Sequence, residues 1–403
     1  MKSIKKGAFS RGLSIAKLGV KTGAKAAGNY ISGGDQEEYL IAQMKVIAEE
    51  FGELKGTMMK IGQSISMYGE HFLPPKANAF LKELQFQSPP MDWEAIEAVI
   101  EKELGLGVFN DLEIDETALA SASLGQVHKA TNKKTGEIYA MKVQYPGVAG
   151  AIESDVKNLK RIFSMAKIIP TNLDLNDIFD EIKTMLYQET NYNLEKEWTE
   201  KIHNLLKDDE RFLVPKVITE YSTNKILTTN FIDGLTIDSK EVLSLPQEER
   251  NYIGFSFLTH YINELFNYKA VQTDPHLGNY RIQLSQNKKH KLVLFDFGAM
   301  RVVPDDFSKN FKGLLQAGAI DESNKDIKKH GTNLGYLEDG DPEELIEAYT
   351  DICTLITEPF RSGPGDNYTP EGGYLWKTTD LPKRVTEAAK YIACLLYTSD
   401  AAD

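Results

Sequence analysis

The chain has 403 residues, 41% hydrophobic and 26% charged, an ordinary globular composition that allows one large domain or two moderate ones. A net charge of −13 excludes a general nucleic-acid binder, and no run of about 18 apolar residues exists to cross a membrane. Two cysteines, Cys353 and Cys394, exclude a disulfide framework and fit a reducing cytosol, and the start lacks the apolar core of a secretory signal.

Charge is unevenly spread. Residues 1–30 carry Lys2, Lys5, Lys6, Arg11, Lys17, Lys21 and Lys25 and no acid. Phe9, Leu13, Ala16 and Val20 fall at helical spacing, so residues 1–35 read either as a basic amphipathic segment on an anionic membrane surface or as a solvated tail. Gly7, Gly12, Gly19 and Gly23 weaken the helix. Residues 36–108 are expected to be helical. One helix covers Gln36 to Phe51, and a second begins near Glu53 and carries Lys60-Ile61-Gly62-Gln63. A third covers Lys76 to Phe86, and a fourth covers Trp93 to Leu104 with Ile96, Val99, Ile100 and Leu104 on one stripe. Lys60 and Gln63 share a helix face; on spacing alone they are solvated.

The pattern changes near residue 110, and 109–232 reads as a β-rich lobe with inserted helices. Leu119 to Ala130 is a small-residue loop entering a strand, Asn132 to Gly136 a hairpin turn, and Ile138 to Val143 the return strand with Lys142. This is the layout of a kinase N-lobe, in which the loop amides approach phosphates and the lysine pairs with them. Here only Gly125 stands among alanines and serines, which predicts a stiffer loop; taken alone, Lys142 also reads as a strand-edge lysine. Pro170 ends a helical stretch, and Asp177 to about Leu206 reads as one long helix. Ile178, Ile182, Met185 and Glu189 share a face, so Glu189 either meets a cation, Lys142 being the candidate, or rotates into solvent. Val214 to Glu220 and Lys225 to Phe231 are expected to form a hairpin. Phe231-Ile232-Asp233-Gly234 then breaks the pattern as a hinge whose backbone would hydrogen-bond an adenine.

Residues 233–393 form the helical C-lobe. Pro246 to Tyr268 is a helix with Ile253, Phe257, Leu258, Tyr261, Ile262 and Leu265 on one side. It delivers the loop Gln272-Thr273-Asp274-Pro275-His276-Leu277-Gly278-Asn279. A hairpin follows, Tyr280–Leu284 and Lys291–Phe295, turning through Ser285 to His290 and ending on Asp296-Phe297-Gly298. The tripeptide alone is a strand-to-turn junction. Preceded by a loop Asp and an Asn, it becomes a phosphoryl-transfer constellation in which Asn279 and Asp296 hold Mg²⁺ and Asp274 orients the nucleophile. His276 reads as a structural hydrogen-bonder or a base. No Ala-Pro-Glu follows, so a conventional peptide-substrate activation segment is absent. Helices are expected over Pro342 to Ile356 and Leu381 to Leu396, and residues 394–403 read as a non-native tail.

With these pieces placed, the chain resembles the UbiB/AarF family of atypical protein-kinase-like proteins from about Phe51 to Val303. Lys60-Ile61-Gly62-Gln63 is similar to the family's KxGQ signature, and Ala120-Ser121-Ala122-Ser123 to its Ala-rich replacement for the Gly-rich loop. Lys142 in Ala140-Met141-Lys142-Val143-Gln144-Tyr145-Pro146-Gly147, the Asp274–Asn279 loop and Asp296-Phe297-Gly298 complete the match. One position departs: Glu189-Thr190-Asn191 stands where the family has Glu-x-Asp, so Asn191 lacks the charge.

The resemblance implies an α+β, two-lobed protein-kinase-like fold with a helical N-terminal extension and a helical C-lobe. It implies a nucleotide (ATP or ADP) with Mg²⁺. Lys142, oriented by Glu189, would face the phosphates; Ala120, Ser121, Ala122, Ser123, Phe231 and Asp233 would surround the nucleotide; Lys60 and Gln63 would cap the pocket. It further implies ATP hydrolysis or transfer to a small lipid-like molecule, in support of isoprenoid-quinone or other lipid metabolism beside a membrane. The expected setting is cytoplasmic and peripheral, with an anionic membrane surface, an isoprenoid-like lipid and quinone-biosynthesis proteins as partners. Two rival expectations are a small-molecule kinase of the aminoglycoside or choline type and a nucleotide-sensing pseudokinase scaffold.

Overall fold

The computed structural model describes Lys60 and residues 90–122, 124–165, 176–273, 276–321, 323–361, 368, 373–376 and 378–400. The basic segment, the predicted helices between 36 and 86 apart from Lys60, and Gln63, Ser123, Pro170 and Asp274 lie outside the described residues. The chain divides into two compact units, Met1–Ser256 with Thr273–Met300, and Phe257–Gln272 with Arg301–Asp403.

The first unit opens with helix α1 (Trp93–Leu104), which buries Ile96, Val99 and Ile100 as their spacing predicts. Gly105 stops it with φ 78°, its N–H donating to the Glu101 carbonyl. One turn, α2 (Val108–Asp111), leads into β1 (Leu112–Ile114), β2 (Ala120–Ser121), β3 (Gly125–Asn132) and β4 (Ile138–Gln144). With β6 (Ile226–Asn230) these form an antiparallel sheet ordered β1-β3-β4-β6, with β2 laid on β3. The predicted turn between β3 and β4 closes because the Asn132 side chain accepts from the Lys134 and Thr135 N–H groups, and Gly136 takes φ 72°. Alternation along β4 buries Tyr139, Met141 and Val143 and sends Lys142 to the other face.

Helix α3 (Val148–Met165) packs on α4 (Asn176–Glu189). The long helix expected from Asp177 to Leu206 is in fact two: α4 ends at Glu189 and α5 starts afresh at Tyr192, running to Leu206. Thr190 donates its hydroxyl to the Tyr187 carbonyl, and the Asn191 side chain accepts the Leu194 N–H as the cap of α5. Short polar side chains of this kind offer the backbone local partners, which favours a helix start over a helix interior.

The hairpin expected over Val214–Phe231 is only half regular. β6 pairs with β4, but Val217 makes a single bridge to Thr229 and Thr219–Tyr221 is a 3₁₀ turn. Instead β5 (Phe212–Leu213) runs parallel to β9 (Lys291–Leu294), which pairs antiparallel with β8 (Tyr280–Gln283). The predicted hairpin around Ser285–His290 is present, with Lys288 in the left-handed region at φ 64°. Its turn is tied down by His290, whose Nδ1 accepts the Ser285 N–H and whose Nε2 meets Glu249 at 2.7 Å. Between these lie the single turn α6 (Lys240–Leu243) and helix α7 (Gln247–Asn263).

The C-terminal part of α7 belongs to the second unit and continues as a π turn, Glu264–Tyr268, into β7 (Ala270–Gln272). The predicted apolar side of this helix is not the buried one. Ile253 is buried, but Leu258, Tyr261 and Ile262 are exposed, and Ser256, His260 and Glu264 are buried instead. The His260 and Glu264 side chains lie 3.4 Å apart one turn along the helix, so each supplies the polar partner that makes its burial affordable. After β10 (Met300–Val302) come α8 (Asp305–Gln316), α9 (Asn324–Asn333) and α10 (Glu343–Thr357). They close a core of Leu314, Ala317, Ile327 and Cys353, flanked by Phe311, Tyr349 and Ile352. The last helix, α11, runs Leu381–Asp400, past the Leu396 expected from periodicity.

Candidate active site

Lys142 stands mid-sheet, opposite Val127 of β3 and Leu227 of β6. Its ammonium lies 2.7 and 2.9 Å from the two carboxylate oxygens of Glu195 and 3.4 Å from Asp296 Oδ2. The expected partner, Glu189, does not meet it. Glu189 is paired with Lys60 at 2.6 Å, with side-chain exposures of 8% and 4%, so Glu189 is buried with a cation but a different one. The reason is the helix break. The stripe counted from Ile182 to Glu189 stops at Thr190, and α5 begins a new one of Tyr192, Glu195, Thr199, Ile202 and Leu206, all buried. Glu195 occupies the second position of that stripe. The signal was present in the sequence as a carboxylate inside an apolar period, visible once Asn191 is read as a cap.

Asp296 follows β9 as predicted and carries φ 58°, an unusual value for a non-glycine residue that points to local constraint. Its Oδ1 accepts the Gly298 N–H at 3.2 Å, and its side chain keeps 37% exposure. Burial pushes this carboxyl up, but Lys142, the Gly298 N–H and Lys60 outweigh it and hold Asp296 below the usual carboxylate range. For Lys142, burial pulls down while Asp296 and Glu195 pull up, and the ammonium ends well above the usual lysine range. Glu195 is the strained member: burial, opposed by Lys142, lifts it to about 7. Two carboxylates around one ammonium cannot both enjoy it fully, and the more deeply buried one yields.

Asn279 ends a 3₁₀ turn, Leu277–Asn279, capped by His276, whose Nδ1 accepts the Gly278 N–H at 3.0 Å. His276 is therefore engaged as the structural hydrogen-bonder of its two readings. The β8–β9 register pairs Tyr280 with Leu294, and the Phe295 N–H donates to the Asn279 carbonyl at 2.9 Å. Asn279 and Asp296 thus leave the same end of one hairpin. A carboxylate and an amide are both hard-oxygen side chains of the kind Mg²⁺ takes.

Ala120 and Ser121 form β2 against Val127 and Gln126, and the Ala122 N–H closes on the Gly125 carbonyl at 2.9 Å. Gly125 is required by packing, since a Cβ there would lie 2.4 Å from the Val143 carbonyl and 2.7 Å from the Tyr192 hydroxyl. At the predicted hinge, the Phe231 N–H donates to the Ile138 carbonyl at 2.9 Å and so is committed to the sheet rather than to a purine. Asp233 accepts the Gly234 N–H at its own side chain. Lys142, Asp296, Glu189 and Lys60 are gathered here through direct pairs or charge; Gln63, Ser123 and Asp274 lie outside the described residues.

A family model described as the ABC1 atypical kinase-like domain matches residues 83–331. The chain is 30% identical over 361 residues to the atypical kinase COQ8, mitochondrial, of Saccharomyces cerevisiae, covering 88% of this chain and 70% of that protein. It is 31% identical over 322 residues to the atypical kinase COQ8B, mitochondrial, of Danio rerio, covering 80% of this chain and 50% of that one. The chain therefore spans between half and 70% of the length of these two relatives. Among solved structures, Rv3197 of Mycobacterium tuberculosis, determined with erythromycin, superposes with a TM-score of 0.50 at 24% identity, over 86% of this chain and 90% of that one. That likeness concerns the fold, and it agrees with the α+β kinase-like architecture expected from the sequence.

Proposed function

Because this chain belongs to the ABC1 atypical kinase-like family, we propose that it binds a magnesium nucleotide and either hydrolyses it or passes its terminal phosphoryl group to a small lipid-like molecule. The observation that carries the reading is the three-way contact of the strand lysine Lys142, the helix glutamate Glu195 and the strand-end aspartate Asp296. In phosphoryl transfer a lysine held by a helix glutamate faces the inner phosphates, and the strand-end aspartate holds a metal.

Asn279 and Asp296 would hold Mg²⁺, which when bound neutralises phosphate charge and fixes its geometry. Lys142 would bind the inner phosphates, its ammonium oriented by Glu195. Asp274 would orient water or a hydroxyl. The small residues Ala120–Ser123 would let backbone approach the phosphates, and Lys60 and Gln63 would cap the pocket. Isoprenoid-quinone or other lipid metabolism, alongside quinone-biosynthesis proteins, is the proposed setting, and the basic residues 1–35 would meet an anionic membrane surface. Among the described residues no helix is long and apolar enough to cross a membrane, which is compatible with peripheral attachment.

The test is Mg²⁺-dependent binding and hydrolysis of ATP, with and without anionic liposomes, for wild type, Asp296→Asn and Lys142→Met. Loss of turnover is expected in both variants, with Mg-ATP binding lost in Asp296→Asn and weakened but still measurable in Lys142→Met. Equal binding and turnover in wild type and Asp296→Asn would remove the reading.

A further inference from the structure

Tyr192 touches the same lysine and has no part in the chemistry proposed above. It is the first residue of α5, placed there by the Asn191 cap, and Glu195 follows it by one turn on the same buried face. It is 1% exposed. Its N–H donates to the Asn224 carbonyl at 3.2 Å, and its ring packs with Val217 and Leu227, the latter being the cross-strand neighbour of Lys142. The ring is thus pinned from three directions, and its centroid lies 5.2 Å from the Lys142 ammonium. A cation over an aromatic face is attracted to the ring's negative π-cloud, more strongly when water is excluded. The far end of the side chain reaches the opposite feature of the site. Its hydroxyl sits 2.7 Å from where a Cβ on Gly125 would be, and Gly125 is the root of the Ala120–Ser123 loop.

We propose that Tyr192 is a positioning residue: its ring completes the seat of the Lys142 ammonium beside Glu195 and Asp296. Tyr192 acts through Lys142, not on a ligand directly. The functional part of the inference rests on the nucleotide reading above; the seating of Lys142 does not.

The shape-conserving variant replaces Tyr192 by a ring-fluorinated phenylalanine, which keeps the volume and removes the negative face. Tyr192→Phe keeps both ring and face, and Tyr192→Leu removes the ring. In the full chain the fluorinated variant and Tyr192→Leu should weaken Mg-ATP binding roughly five- to thirty-fold, the range of a desolvated cation–ring contact. Adenosine, which carries no phosphate, should bind as to wild type. Tyr192→Phe should stay within about two-fold of wild type, since the ring face is retained. In a Lys142→Met background the same replacements should have no further effect on Mg-ATP.

A second measurement needs no nucleotide. The rate at which an amine-acylating reagent modifies Lys142, followed by peptide mass spectrometry, should rise in the fluorinated variant and stay unchanged in Tyr192→Phe. A merely structural tyrosine would weaken ATP and adenosine alike, or act equally in the Lys142→Met background, and either outcome overturns the proposal. If wild type takes up no Mg-ATP, the nucleotide reading fails, and the acylation rate alone then decides: an unchanged rate in the fluorinated variant overturns the seating of Lys142 by Tyr192.

Discussion

Replacing Glu195 by glutamine should flatten one pH-dependent component of folding stability, with a sign that follows from the site. Glu195 is 3% exposed, and burial lifts its carboxyl from an ordinary 4.5 to about 7 despite Lys142. The folded protein therefore keeps a proton that the unfolded chain has lost between these values. In that window the unfolded state binds fewer protons, so unfolding free energy falls as pH rises, by about 1.4 kcal/mol per pH unit at most. Over the window from 4.5 to about 7 the loss amounts to about 3 kcal/mol. Asp296 is lowered, so its contribution is present above its ordinary 3.8 and fades only below it; Lys142 is raised and titrates far above the window. Groups distant from the site titrate alike in both proteins and cancel in the difference. Urea unfolding of wild type and Glu195→Gln at pH 4.5, 5.5, 6.5, 7.5 and 8.5 would read this out. The difference in unfolding free energy, wild type minus variant, should drop by about 3 kcal/mol up to pH 7 and then level. Parallel curves, with a constant difference, would refute the assignment of the strained carboxylate to Glu195.

The other expectations are simpler. Lys60→Met removes the cation paired with the buried Glu189 carboxylate and should cost about 3–5 kcal/mol in chemical unfolding, most of it recovered in Lys60→Met/Glu189→Leu; an additive double variant would contradict the pairing. Asn191→Ala removes the cap of α5 and should cost about 1 kcal/mol, with Asn191→Asp near wild type; equal stability of all three would show the cap to be idle. Gly125→Ala forces a methyl to 2.4 Å from the Val143 carbonyl and should lower the melting temperature by several degrees, with a cost of about 2 kcal/mol or more; a wild-type melting curve would contradict that close approach.

Much of the site was legible before any fold was known. Turn chemistry placed Asn132–Gly136, alternation placed Lys142 opposite Met141 and Val143, and the order of the Asp274–Asn279 loop and Asp296-Phe297-Gly298 marked one end of a hairpin. The β8–β9 register then brought Asn279 and Asp296 to that end. The helix facing Lys142 was found, but not the glutamate on it. A helical period extrapolated through Thr190-Asn191 gave Glu189, where a new helix with its own phase presents Glu195. On α7 the apolar count selected a face that is exposed, while His260 and Glu264, 3.4 Å apart, are buried in place of Leu258 and Ile262.

What the sequence determined by itself is local: where strands alternate, where turns close, and which residue types can carry phosphoryl chemistry. Each of these depends on neighbours within a few positions, whose geometry the backbone dictates. The tertiary structure alone decided which charges meet. Lys142 had two glutamates six residues apart to choose between, and Lys60 took the other. A buried charge is stabilised by whichever opposite charge the packing of separate elements brings within about 4 Å, and no periodicity along one chain segment encodes that distance.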